Sequence, residues 1–129
     1  MGKQEYLIDT NALIDYLGMK LPEKGMSFLN EVVDVVPYLS VISKIELLGF
    51  NTTEEQYAIL SSFIADSVVF DLSDKVVEKC IELRKKTRIK LPDAIIASTA
   101  LVYDLKLISR NTSDFNHIDG LVTINPHSI

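Results

Sequence analysis

The chain has 129 residues, 47% hydrophobic and 24% charged, the profile of a globular protein long enough to bury a core as a single domain over 1–129. No apolar run nears the ~20 residues that span a bilayer, the mostly polar stretch 1–5 leads straight into a strand and reads as no signal peptide, and the single Cys80 excludes an internal disulfide and a C-x-x-C metal site; together these point to a cytoplasmic protein with no membrane partner. The net charge of −5 weighs against a nucleic-acid partner, but charge distribution matters more than the sum, and carboxylates clustered around a divalent cation would give the same total.

Tyr6-Leu7-Ile8 is an apolar run that ends in Asp9, and Ala12-Leu13-Ile14 and Tyr16-Leu17 resume an apolar pattern after Thr10 and Asn11. This predicts a short buried strand, a carboxylate at its C-terminal end, and a helix capped by Asn11 and ended by Gly18. Pro22 at a first helical position opens a second helix, with Met26, Leu29, Val32 and Val33 at helical spacing. Val35 to Leu39 reads as a strand, with Pro37 at its start or on an unpaired side. Ser43 and Glu46 fit a capping box, and Thr53 with Gln56 repeats it before a helix carrying Tyr57, Leu60, Phe63 and Ile64. Val68-Val69-Phe70 is a strand. Ser73 caps a helix with the stripe Val76, Val77, Cys80, Ile81 and Leu83, where Cys80 reads as a small core residue. Pro92-Asp93 opens the next helix, whose small residues Ala94, Ala97, Ser98 and Ala100 admit another backbone closely. Strands over 106–109 and 121–124 complete the chain. Strands alternating with helices predict an α/β fold around a mainly parallel sheet, without repeats or linkers.

Ligands bind such sheets at the carboxyl ends of the strands. Asp9 ends a strand, Glu46 lies early in a helix after a strand, Asp93 opens a helix, and Asp114 follows a strand by a short polar turn. If these positions converge, their mutual repulsion calls for Mg²⁺ or Mn²⁺, hard cations that take oxygen ligands. Each acid also has a purely structural account. Asp9 would suit a strand-to-helix turn, Glu46 the capping box, Asp93 the helix dipole, and Asp114 an Asn/Ser/Thr-rich loop. Glu46, flanked by Ile45 and Leu47, is expected to be partly buried. Thr10, Ser43 and Asn111 are candidates to orient the carboxylates, or are caps and turn residues. The basic run Arg84, Lys85, Lys86, Arg88 and Lys90 is a candidate phosphate contact, or a solvated helix C-terminus. Asp15, Asp71, Asp104 and Asp119 read as surface or turn acids, and His117 and His127 as surface residues.

Four segments in order resemble one family. They are Leu7-Ile8-Asp9-Thr10-Asn11, then Ser43-x-x-Glu46-Leu47-Leu48-Gly49-Phe50, then Leu91-Pro92-Asp93-Ala94-Ile95-Ile96-Ala97, then Ser109-Arg110-Asn111-x-x-Asp114-Phe115. Together they resemble the PIN-domain ribonucleases, and more narrowly the VapC toxins of VapBC toxin–antitoxin systems. The resemblance implies a three-layer α/β/α fold with a central, mainly parallel sheet. It implies that Asp9, Glu46, Asp93 and Asp114 bind Mg²⁺ or Mn²⁺ and cut RNA, with Thr10, Ser43 and Asn111 in support. It also implies a cognate antitoxin protein and a homodimer.

The expected reaction is hydrolysis of an RNA phosphodiester by metal-activated water, which does not need the RNA 2′-OH as nucleophile. A metal-free ribonuclease would want a positioned acid and base, often two histidines, and this chain offers only His117 and His127. A haloacid-dehalogenase-like phosphatase also begins with a strand-end Asp but uses an Asp-x-Asp pair, and here Asn11 holds the second place. A catalytically silent PIN-like binding domain in a larger complex is the third alternative.

Overall fold

The computed structural model describes residues 4–129. The strands are β1 (Tyr6–Ile8), β2 (Tyr38–Ser40), β3 (Val68–Phe70), β4 (Lys106–Ile108) and β5 (Thr123–Ile124). The helices are α1 (Thr10–Leu17), α2 (Glu23–Val35), α3 (Val41–Leu48), α4 (Glu54–Ala65), α5 (Asp74–Lys86) and α6 (Leu91–Val102), with a 3-10 turn at Thr112–Asp114. The strands form one sheet in the order β3-β2-β1-β4-β5, and every neighbouring pair is parallel. β1 sits at the centre, so both its faces must be apolar.

Successive side chains of a strand point to opposite faces, and the two cores divide on that rule. Leu7 and Leu107 face Val76, Cys80 and Leu83 of α5 and the alanine-rich α6. Ile8, Leu39 and Ile108 face Leu13 of α1, Leu29 of α2, Leu47 of α3 and Leu60 of α4. The result is a three-layer α/β/α sandwich. The small residues of α6 are buried from Ala94 to Ala100 because α5 and the sheet press on it from two sides. Cys80 lies in that core. Among the described residues no helix is long and apolar enough to cross a membrane.

Several boundaries move from their sequence-based places. Asp9, not Asn11, caps α1, because its extended backbone and its side-chain bond from Thr10 N already satisfy the first turn. Pro22 is the N-cap of α2 rather than its first helical residue, since its ψ of 161° is extended. α2 runs on through Val35, and the strand begins only at Tyr38; Pro37 cannot donate to the ladder but accepts from Val68 N at 2.9 Å. The final strand is confined to Thr123–Ile124. No capping box forms at Ser43. The cap is Ser40, whose Oγ accepts from Ile42 N at 3.1 Å, so Ser43 lies within α3, buried. Thr53 does cap α4, accepting from Gln56 N. Ile81, assigned to the buried stripe of α5, is exposed.

Candidate functional site

In a parallel sheet the chain leaves every strand at the same edge. Asp9 follows β1, Ser40 and α3 follow β2, and Ser109 to Asn111 follow β4. A helix that returns to start the next strand begins at that edge too, which brings the first turn of α6, with Asp93, to the same place. A cavity of about 280 Å³ opens there, lined by Asp9, Thr10, Asn11, Ile14, Asp15, Glu46, Asp93, Arg110 and Asn111.

Of Asp9, Glu46, Asp93 and Asp114, Asp9 is the deepest, only 5% exposed. Its Oδ1 accepts from Thr10 N at 2.8 Å, and its Oδ2 from the Ser109 hydroxyl at 2.8 Å and the Asn11 amide at 3.2 Å. Burial raises its carboxyl from the ordinary aspartate value; the Ser109 and Thr10 bonds pull against that rise, and the charges of Asp93 and Glu46 add to it. Asp93 is also raised, first by burial, then by the charge of Asp114, with Lys90 opposing and Glu46 adding. The four acids therefore lie within one electrostatic neighbourhood. Among the described residues none of them is in an ion pair.

The supporting residues take distinct places. The Thr10 hydroxyl donates to Glu46 Oε1 at 2.6 Å and lies 3.0 Å from Ser43 Oγ, so α1 and α3 are tied beneath the cavity. Glu46 is exposed rather than partly buried, because Ile45 also faces outward at this turn of α3 and only Ser43 and Leu47 point into the core. Asn111 lines the cavity, and its backbone N–H donates to Ser109 Oγ. Asp114, on the 3-10 turn, stands outside the lining and acts on Asp93 through its charge. Of the basic run, Arg84, Arg88 and Lys90 border a separate surface hollow; Lys86 pairs with Glu82 one turn back on α5. Lys90 acts on Asp93 through its charge, opposing the rise of its carboxyl.

Two residues of the site escaped the sequence reading. Asp15, assigned to the surface, is buried. Its carboxylate accepts from Arg110 Nη1 at 3.1 and 3.3 Å and meets His127 Nε2 at 2.8 Å. His127 is accordingly a half-buried partner of Asp15 rather than a free surface residue. Arg110 lies between Ser109 and Asn111, where no local pattern marks its side chain as part of the cavity. Asp15 could have been suspected from its place between Ile14 and Tyr16 on a short apolar helix.

The donors are carboxylate oxygens, a hard set that fits Mg²⁺ or Mn²⁺. Among the described residues no three acids or histidines are drawn tightly enough to close a metal shell. Mg²⁺ does not need that, since it keeps several waters and takes one or two carboxylates.

A model of the PIN domain matches residues 6–121. The chain belongs to the PIN-domain family. The match spans all the strand-end positions that line the cavity, and Asn11, which bonds Asp9 through its amide, stands where the phosphatase alternative needs an acid. Among solved structures, the PIN fold of this chain is similar to a chain of a toxin–antitoxin complex from Klebsiella pneumoniae, with 28% identity and a TM-score of 0.76 over 97% of this chain and 100% of that one. It is similar in fold to a chain of VapBC2 from Rickettsia felis, bound to a promoter DNA fragment (23% identity, TM-score 0.79, 95% and 98% covered). DNA-bound VapBC from Salmonella typhimurium is a further fold relative (22% identity, TM-score 0.80, 96% and 99% covered). No curated protein sequence matches the chain.

Proposed function

We propose that this PIN domain is a Mg²⁺- or Mn²⁺-dependent endoribonuclease and the toxin of a VapBC-type pair, held in check by a cognate antitoxin protein and acting as a homodimer. The observation that carries the reading is the set of mutually repelling acids that have no ion-pair partner among the described residues. A buried Asp9 facing Asp93 and Glu46 is electrostatically unfavourable by itself. Such a set is retained where a cation compensates it. The likeness to a toxin–antitoxin complex supports the toxin role.

Asp9 and Asp93 would hold the cation, with Glu46 and Asp114 completing the charge around it. When bound, the ion lowers the pKa of a coordinated water and stabilises charge on the phosphoryl oxygens. Ser109 and Asn11 fix the Asp9 carboxylate so that one face stays turned to the cavity. Thr10 holds Glu46 at the rim and excludes a swing away from the site. The cavity is open and polar, as an extended strand requires.

The test is cleavage of total cellular RNA by the purified chain with Mg²⁺, with Mn²⁺ and with EDTA. Cleavage should need the metal and fall by more than about 100-fold in Asp9→Asn, since losing even an outer-shell partner costs ~10–100-fold. Equal cleavage in EDTA or in the variant would sink the assignment. Absence of cleavage together with tight binding of a partner protein would favour a silent PIN domain.

A further inference from the structure

We infer that Arg110 binds a phosphate of the RNA strand at the acidic cavity, and that Asp15 and His127 are the positioning residues that aim it; this rests on the nuclease reading of the cavity. A pocket lined by Asp9, Glu46 and Asp93 repels a polyanion. Among the described residues lining it, Arg110 is the only cation.

Its place is built rather than incidental. The Arg110 N–H donates to Asn11 Oδ1 at 2.9 Å, which ties the main chain after β4 to the start of α1. The side chain is held at one nitrogen alone, Nη1, by both oxygens of Asp15. Asp15 is itself braced from behind by His127. His127 comes from the C-terminal segment, which closes against α2 where Gly25 has no side chain; a methyl there would collide with the Pro126 carbonyl. Thus the end of the chain, a helix and a strand-end loop converge to hold one guanidinium.

A guanidinium that served only to neutralise Asp15 would have no reason to stay at the mouth of the cavity. Arg110 remains 51% exposed, and the hydrogen bonds among described residues leave Nη2 and Nε for a further acceptor. A planar fork with donors on one edge matches two phosphate oxygens. Holding the side chain through Asp15 removes much of the rotamer freedom that binding would otherwise take away.

The experiment reads RNA affinity without cleavage. A fluorescein-labelled oligouridylate is titrated with the chain in EDTA at several salt concentrations. Arg110→Ala should lose roughly tenfold or more in affinity at low salt, and the slope of log affinity against log salt should fall by about 0.7, the value of one single-strand phosphate contact. Mn²⁺ binding, read by calorimetry, should match the parent. Asp15→Asn keeps the cation but loosens it, so the slope should hold while affinity drops less than in Arg110→Ala. A folded Arg110→Ala chain with the parent's affinity and slope overturns the inference. So does an Asp15→Asn chain that loses the slope as fully as Arg110→Ala. Should the alanine variant unfold, Arg110→Gln, neutral and similar in reach, carries the same readouts. A parent chain that binds no Mn²⁺ fails the metal reading alone, because the salt slope is measured in EDTA.

Discussion

Asp9 and Asp15 are two aspartates at the two ends of one short helix, with nearly equal burial, 5% and 4% exposed. Their surroundings are opposite. Asp15 is clasped by a guanidinium and an imidazole, so its charge is answered within the protein. Asp9 is bonded by a hydroxyl, an amide and a backbone N–H, and its charged neighbours are other acids. Burial alone therefore does not tell a carboxylate whose charge is answered within the protein from one whose charge is not. What separates them is whether a cation already sits beside the buried charge.

The contrast can be broken by the same substitution at both places. Asp15→Asn removes the charge that Arg110 and His127 meet and should cost about 1–2 kcal/mol in urea unfolding at neutral pH, the range of a hydrogen bond to a charged group reduced for the exposure of both partners. Asp9→Asn should leave metal-free stability within about 0.5 kcal/mol or raise it, because it removes a repelled charge while keeping an acceptor for Thr10 N. Equal losses at the two positions would show that Asp9, too, is a structural acid.

A milder probe is Ser109→Ala. The Ser109 hydroxyl favours the charged form of Asp9, so its removal should raise the Asp9 carboxyl further. Mn²⁺ affinity should then weaken by about tenfold, with the pH midpoint of metal binding displaced upward. Unchanged calorimetric affinity would mean that Ser109 does not hold Asp9 ready for the ion.

The smallest effect lies in pH. Asp9 and Asp93 are raised in the folded chain relative to the unfolded one. Between the unfolded and folded values the native state holds more protons, so metal-free stability should rise as pH falls through that window, and the gain should be complete below the ordinary aspartate value. Above the raised values the repulsion is fully present, and there Mg²⁺ should stabilise the chain. Scanning calorimetry of the parent against Asp9→Asn isolates this component. A parent and variant with parallel pH profiles would remove the electrostatic argument for a cation at Asp9.

Strand and helix type were legible wherever a period was clean. β1 and β3, and the stripe of α4, fall where their residues put them. The boundaries at Pro22, Val35 and Ser43 were not, because capping depends on backbone angles that neighbouring strands impose. Ser43 matches a capping motif as a string, yet the chain already turns at Ser40, where β2 ends. Glu46 shows the same limit: its apolar neighbours suggested burial, but the turn of α3 directs Glu46 and Ile45 outward together.

By itself, the sequence determined that an acid ends the first strand, that acids recur after later strands or at a helix start, and that the sheet is parallel; local pattern and chain order suffice for these. Only the tertiary structure decided which acids meet. Asp9 and Asp93 are far apart in sequence and couple because α6 starts at the edge where β1 ends. It alone revealed the pairing of Arg110, Asp15 and His127. No spacing rule links a helix, a strand-end loop and the chain's last residues; their meeting depends on packing against one sheet.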